Sequence, residues 1–145
     1  MPETATEQAL ENLIAHHRLP PEYRQTLNNI IEPLALSLHQ ASRHGKGPLL
    51  VGIHGAQGTG KSTLTDFLRT LLAHRYQCPT ASLSLDDIYH TRATRERLAS
   101  QVHPLLLTRG VPGTHDVALG QRVLDQLRSA GPEDSTPIPS FDKSR

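Results

Sequence analysis

The residues best suited to chemistry in this sequence stand together between positions 55 and 63. Gly55, Gly60, Lys61 and Ser62 have the spacing G-x-x-x-x-G-K-[ST], typical of a phosphate-binding loop. Glycines allow the loop backbone to turn its N–H groups inward around an anion. Lys61 can then reach the β and γ phosphates of a nucleotide, and the Ser62 hydroxyl can coordinate Mg²⁺. We expect nucleotide contacts along the whole run Gly55, Ala56, Gln57, Gly58, Thr59, Gly60, Lys61, Ser62 and Thr63.

The flanks of this loop have the pattern that the motif requires. Residues 49–53 form an apolar run, which is typical of a buried parallel strand. Leu64, Phe67 and Leu71 follow at helical spacing, so a helix is predicted directly after the loop. Because strand, glycine-rich turn and helix follow one another, we favour a phosphate site over a simple connecting loop.

Two acids follow the next predicted strand, residues 80–85. Ligands of open α/β sheets bind beyond the carboxyl ends of the strands, where Asp86 and Asp87 would lie. A carboxylate there can hold Mg²⁺ through water or accept a proton from a substrate hydroxyl. The alternative is a turn or helix N-cap, a common role of Asp. From the residues alone we favour a functional role for Asp86 and the turn role for Asp87.

A second polar loop, residues 109–116, reads RGVPGTHD. Arg109 and His115 in this loop could hold an anionic substrate, because a guanidinium binds a carboxylate through two parallel hydrogen bonds. Thr114 or Asp116 could equally cap the helix predicted over residues 116–129.

A polar helix is predicted between these two regions, over residues 92–102. It carries Arg92, Arg95 and Arg97, which we interpret as a solvated charged face. A lid that faces the phosphates is the alternative.

The order of predicted elements indicates an α/β fold. A strand at 49–54, a helix to residue 74 and a strand at 80–85 form a right-handed crossover between parallel strands. We therefore expect a P-loop NTPase-type parallel sheet in a three-layer αβα arrangement. Residues 1–48 are predicted to form a helical N-terminal extension, and residues 49–145 the amino-terminal part of the domain. Within the extension we expect one helix over residues 5–18 and a second from Pro21 or Glu22, and Pro33 should kink this second helix or end its first half. Two strands alone leave sheet edges uncovered, so we expect the sheet to be incomplete in this chain and the chain to be part of a longer protein.

Composition narrows the class of protein. The net charge is +1 and the basic residues are scattered, which argues against a nucleic-acid partner or a membrane surface. Aromatic residues make up only 3%, so an aromatic platform for stacking bases is not expected. The single cysteine, Cys78, and the lack of a signal-peptide pattern indicate a cytoplasmic protein.

Four pieces of the sequence together resemble one family. They are residues 57–64, 85–89, 109–116 and 139–144, which read QGTGKSTL, LDDIY, RGVPGTHD and PSFDKS. The chain resembles the P-loop kinases of small metabolites, the group of uridine kinase, phosphoribulokinase and bacterial pantothenate kinase, and within it the D-glycerate 3-kinases. Ile88 stands where these kinases usually have phenylalanine.

This resemblance implies ATP-dependent transfer of the γ-phosphoryl group to a hydroxyl of a small hydroxy acid, with D-glycerate the expected acceptor. ATP and Mg²⁺ would be the cofactors, Lys61 the charge stabiliser, Asp86 the base, and Ser62 and Asp86 the metal ligands. The residues expected at the acceptor are Asp87, Tyr89, Arg109 and His115. Two alternatives stay open, namely a P-loop NTPase switch and a non-catalytic nucleotide-binding module.

Overall fold

A computed structural model describes residues 2–131 and 133–142. The helices are α1 Pro2–His16, α2 Tyr23–Thr26, α3 Glu32–His44, α4 Lys61–Tyr76, α5 Arg92–Gln101 and α6 Val117–Ser129. A π-helical turn, Leu27–Ile31, joins α2 to α3, and two 3₁₀ turns lie at Leu85–Ile88 and Pro104–Leu107. The chain divides into two compact units, Met1–Ala81 and Ser82–Arg145.

The first unit is built around α4, the helix that follows the glycine-rich loop. Its apolar face, which includes Phe67 and Leu71, is fully buried against α1, α3 and the π-helical turn. The buried core of this unit comprises Leu10, Leu27, Ile31, Ala35, Phe67, Leu68 and Leu71. The helical extension therefore covers one face of the helix that carries Lys61.

Ion pairs at the edge of this core join α1, α3 and α4. Arg75 of α4 lies 3.0 Å from a carboxylate oxygen of Glu32 and 3.5 Å from one of Glu7. Burial lowers the pKa of Arg75, but the hydrogen bond and negative charge of Glu32 outweigh it, so the pKa is raised above its ordinary value. His17 Nε2 lies 3.0 Å from Asp66 Oδ2, which also fixes the end of α1 against α4.

Pro33 does not break the helical run, although the sequence predicts a kink or an end there. It occupies the first turn of α3, directly after the π-helical turn Leu27–Ile31. A proline is tolerated at that position because a first-turn N–H has no partner within the helix. The helix therefore does not end at Pro33, and the helix type changes directly before it.

Neither predicted strand appears as a strand within residues 2–131 and 133–142. Leu49, Leu50 and Val51 are 42%, 55% and 51% exposed, whereas a central parallel strand buries both faces. A strand needs a ladder partner to satisfy its backbone, and none of the described segments pairs with residues 49–54. The parallel sheet, and with it the α/β class, stays a prediction.

The second unit surrounds a short antiparallel contact. Tyr89 and His115 form an isolated β-bridge, which joins the 3₁₀ turn Leu85–Ile88 to the start of α6. Ile88, Leu106 and Val123 are its buried apolar side chains among the residues described. Gly120 of α6 lies against Ile88, since a Cβ added there would stand 3.0 Å from Ile88 Cδ1.

The predicted helices agree well with the structure. Those expected over residues 5–18, 92–102 and 116–129 correspond to α1, α5 and α6. The boundary predicted at residue 48 stays a prediction. α4 packs on the helices before that boundary, so the extension and the loop helix lie in the same compact unit.

We predict that Leu71→Ala lowers the free energy of unfolding by about 2–5 kcal/mol, because it leaves a cavity in a fully buried position. Leu36→Ala on α3 is the matched control. Leu36 is 42% exposed, so its truncation should cost less than about 1 kcal/mol. Urea denaturation followed by circular dichroism measures both, and equal losses would contradict the proposed core.

Candidate functional site

The Lys61 side chain folds back over the glycine-rich loop. Its ammonium donates to the backbone carbonyls of Gly55 at 2.8 Å and Ala56 at 2.7 Å. Thr59 also contacts Ala56 O, through its hydroxyl at 2.8 Å. The loop backbone therefore curves around the Lys61 ammonium, which is held at the open side of the loop.

Two glycines give this loop its shape. Gly58 and Gly60 have φ of 78° and 83°, in the left-handed region where side chains are strained. Gly55 has a different constraint, because a Cβ there would stand 2.8 Å from Thr59 Oγ1. All three glycines of the motif are thus required by the geometry of the loop.

The amino end of α4 is left open to an anion. Gly60 is its N-cap residue and provides no side-chain hydrogen bond. Leu64 N donates to Gly60 O at 2.9 Å, in the first turn of the helix. The N–H groups of Lys61, Ser62 and Thr63 come before Leu64 and have no acceptor within the helix. These donors and the positive end of the helix dipole form the environment that a phosphate group binds. Gln57 and Ser62, two further residues of the predicted set, are exposed to solvent.

Asp86 lies in the second unit, on the 3₁₀ turn that replaces the end of the predicted strand. Ser84 caps this turn, because its hydroxyl oxygen accepts from Asp86 N at 3.2 Å. The Asp86 carboxylate is exposed and accepts a hydrogen bond from the Tyr89 hydroxyl at 3.3 Å. The acid is therefore oriented by its neighbour and open to solvent, as a base for a small substrate must be.

Tyr89 and His115 lie face to face beside this acid. Their ring centroids are 4.3 Å apart with an interplanar angle of 26°. The backbone fixes the pair, since His90 N donates to Thr114 O at 2.9 Å and Asp116 N donates to Ile88 O at 2.6 Å. Residues 26 positions apart in sequence, 89 and 115, are thus held in contact.

Arg109 and Asp87 join the same cluster through Phe141. The Arg109 guanidinium lies 5.4 Å from the centre of the Phe141 ring, and that ring meets Tyr89 edge-on at 5.5 Å. Phe141 N donates to Asp87 Oδ1 at 3.0 Å. The four residues predicted at the acceptor, Asp87, Tyr89, Arg109 and His115, therefore lie in one contiguous cluster with Asp86.

Phe141 is a candidate site residue that the sequence analysis did not single out. It lies within the PSFDKS piece, but nothing in that piece alone shows that residue 141 packs between Tyr89 and Arg109. The sequence feature that could have pointed to Phe141 is its aromatic side chain, because the chain has only two phenylalanines.

The structure decides between Thr114 and Asp116, the two residues predicted as the N-cap of α6. Asp116 Oδ1 accepts from Leu119 N at 2.9 Å, so Asp116 is the cap. Thr114 is fully buried, and its hydroxyl donates to Val111 O at 2.6 Å instead. Thr114 thus holds the turn that positions His115.

The predicted ligands for Mg²⁺ lie in different units, with Ser62 in Met1–Ala81 and Asp86 in Ser82–Arg145. Within residues 2–131 and 133–142, no group of three or more His, Cys, Asp or Glu side chains could hold a metal ion. A hydroxyl and a carboxylate still fit the chemistry of Mg²⁺, which keeps several waters when a nucleotide supplies phosphate oxygens. In the same residues, no helix combines the length and apolar character that crossing a membrane requires.

Comparison with known proteins finds several kinases. The chain is 35% identical over 122 residues to the uncharacterized kinase mug58 of Schizosaccharomyces pombe, covering 83% of this chain and 43% of that protein. It is 34% identical over 107 residues to the probable ATP-dependent kinase TDA10 of Saccharomyces cerevisiae, covering 69% and 37%. It is 32% identical over 103 residues to the pantothenate kinase of Cutibacterium acnes, covering 68% and 30%.

The chain thus spans less than half the length of these curated relatives. No protein-family profile matches it. No solved structure matches it either. The names of the relatives are consistent with the P-loop kinase group, and they support an ATP-dependent kinase in general.

We predict that Gly113→Ala destabilises the second unit by about 1–3 kcal/mol, as expected for a non-glycine residue in a disfavoured backbone conformation. Gly113 has φ of 92°, and an added Cβ would stand 3.3 Å from Leu106 Cδ2. Gly131→Ala is the control, because its backbone is not left-handed and its nearest neighbour would be Asp134 Oδ2 at 3.5 Å. Thermal unfolding of the two variants measures the difference, and identical melting temperatures would contradict the loop geometry.

Proposed function

We propose that this protein is an ATP-dependent kinase that transfers the γ-phosphoryl group to a hydroxyl of a small hydroxy acid, with D-glycerate as the acceptor. One observation carries the proposal. The Lys61 ammonium is held by the carbonyls of Gly55 and Ala56 at the uncapped amino end of α4, where a phosphate would bind. The kinase names of the relatives support the same class of reaction.

In this proposal the glycine-rich loop holds the nucleotide. The first-turn N–H groups of α4 bind phosphate oxygens, and Lys61 neutralises the negative charge that develops as the γ-phosphoryl group leaves. The Ser62 hydroxyl would supply an oxygen ligand to Mg²⁺, which would neutralise phosphate charge when bound. The sequence resemblance implies Asp86 as a further ligand. Because these donors are fixed before the nucleotide arrives, little reorganisation is needed during the reaction.

The cluster in the second unit would hold the acceptor. Asp86 accepts the proton from the acceptor hydroxyl, and Tyr89 orients the carboxylate by donating to Asp86 Oδ1. Arg109 would bind the acidic group of the acceptor, since its guanidinium makes no ion pair with any described carboxylate. D-Glycerate as the acceptor is supported by the sequence resemblance.

We predict that Lys61→Ala weakens ATP binding about 10- to 150-fold, because it removes a charge-assisted hydrogen bond worth about 1.5–3 kcal/mol. Lys46→Ala is the matched control. Lys46 is an exposed lysine in the turn before residue 49 and should leave ATP affinity unchanged. Isothermal titration with ATP and Mg²⁺ measures both, and unchanged affinity in the Lys61 variant would exclude the proposed loop function.

A second prediction separates catalysis from binding. Asp86→Asn should lower kcat by about 10²- to 10⁴-fold, the contribution usual for a general base, while ATP affinity stays the same. Asp125→Asn, an exposed substitution on α6, should leave kcat unchanged. The protein in its natural length should be used for this rate measurement. An unchanged kcat in the Asp86 variant would contradict the general-base role and leave Asp86 with only a structural role in the turn.

A further inference from the structure

A cavity lies beside the acceptor cluster and is lined mainly by arginine. Its volume is about 330 Å³, and it is bounded by Arg92, Arg95, Leu107, Thr108 and Arg109. Pockets for small ligands begin at about 300 Å³, so the space suits a molecule of a few heavy atoms or one end of a larger one. Its walls are supplied by α5, by the last residue of the 3₁₀ turn Pro104–Leu107 and by the two residues that follow it.

Arg95 is a buried cation without a carboxylate partner in the described chain. Arg95 is only 7% exposed, although the sequence predicts that it lies on a solvated charged face of its helix. It donates to two backbone carbonyls, Leu107 O at 2.6 Å and His90 O at 3.3 Å. Carbonyls fix the direction of the guanidinium but do not neutralise it, so its positive charge remains in a partly desolvated place.

Arg109 contributes a second incompletely satisfied guanidinium. Its Nη1 atom is buried, and in residues 2–131 and 133–142 it has no hydrogen-bond partner. A buried donor without an acceptor costs free energy, which an oxygen of a bound ligand would recover.

The charges around the cavity do not balance. Arg92 pairs with Glu96 at 2.9 Å, and both side chains are exposed, at 74% and 52%. Arg92 and Arg95 both line the cavity, but Arg95 is buried and has no carboxylate partner among the described residues. The three guanidinium groups that line the cavity are therefore paired with only one carboxylate, which leaves a net positive charge there and favours an anion.

We propose that this arginine-lined cavity binds the carboxylate of the acceptor, and that Arg92 and Arg95 together with Arg109 select acidic over neutral acceptors. This inference rests on the proposed kinase function and adds the residues that recognise the acid. A guanidinium binds a carboxylate in two parallel hydrogen bonds, so the acid is oriented as well as held.

Arg109 connects the cavity to the reacting end of the acceptor. The same side chain lines the cavity and lies over Phe141, whose ring contacts Tyr89, the donor to Asp86. The cavity is thus connected to Asp86 through contacts that run from Arg109 to Phe141 and Tyr89. A neutral polyol has no group that satisfies the arginines, and so it loses both affinity and orientation.

The proposal is tested by binding, without reference to phosphoryl transfer. D-Glycerate, inorganic phosphate and glycerol are titrated into the protein in its natural length, and isothermal titration reports the dissociation constants. Glycerol retains the hydroxyls of glycerate but lacks the carboxylate, so it should bind at least about tenfold more weakly, a difference of about 1.4 kcal/mol.

Arg92→Gln should weaken glycerate binding about three- to tenfold, with ATP affinity unchanged, since it removes one charged hydrogen bond at a partly solvated position. Arg97→Gln is the control, because Arg97 is an exposed arginine of the same helix that does not line the cavity. Arg92 is used in preference to Arg95, whose carbonyl contacts also hold the fold.

The outcomes separate this proposal from the kinase proposal. Glycerate binding that is weakened in Arg92→Gln but not in Arg97→Gln, in a protein that transfers no phosphoryl group, supports the cavity and removes the kinase assignment. Phosphoryl transfer with unchanged glycerate affinity in Arg92→Gln overturns the cavity and leaves the kinase. Equal losses of glycerate affinity in the Arg92 and Arg97 variants overturn the cavity as well, because the loss of one positive charge anywhere on the helix then explains both. Binding of phosphate but not of glycerate overturns the choice of a carboxylate.

Discussion

The contact between the Lys61 ammonium and the carbonyls of Gly55 and Ala56 is the interaction on which the proposed nucleotide site depends. It requires a loop that curls around the first turn of α4, and it requires α4 to be held firmly. The buried face of α4 and the pairing of Arg75 with Glu32 meet the second need. The helical extension thus acts as the support of a charged loop, because a lysine on a loosely packed helix would not keep two carbonyls within hydrogen-bond distance.

A different principle organises the second unit. A two-residue bridge and a stack of rings bring residues from three separate parts of the chain around Asp86. Aromatic side chains lose little conformational freedom when packed, so a few of them can fix polar neighbours precisely. Of the three tyrosines and two phenylalanines in the chain, Tyr89 and Phe141 lie in this cluster. In the proposed function, Arg109 binds the acidic group of the acceptor and Asp86 accepts the proton of its hydroxyl.

Local features of the structure could be predicted from the sequence, and features that depend on distant partners could not. The helix after the loop follows from the spacing of Leu64, Phe67 and Leu71, since periodicity is a local property. The burial of Arg95 could not be seen in the same way, because it depends on carbonyls supplied by residues 90 and 107. The predicted strand at 49–54 needs ladder partners, and the described residues supply none for it. Phe141 became visible only through its contacts with Asp87, Tyr89 and Arg109.

The central claim is that a γ-phosphoryl group passes from ATP to the hydroxyl of a small acid. Phosphorus-31 NMR of the protein in its natural length, mixed with ATP, Mg²⁺ and D-glycerate, tests it most directly. The account predicts a phosphomonoester signal that grows in step with ADP and is absent when glycerol replaces glycerate. Release of inorganic phosphate alone, at a rate independent of glycerate, would contradict it and would favour a nucleotide-driven switch.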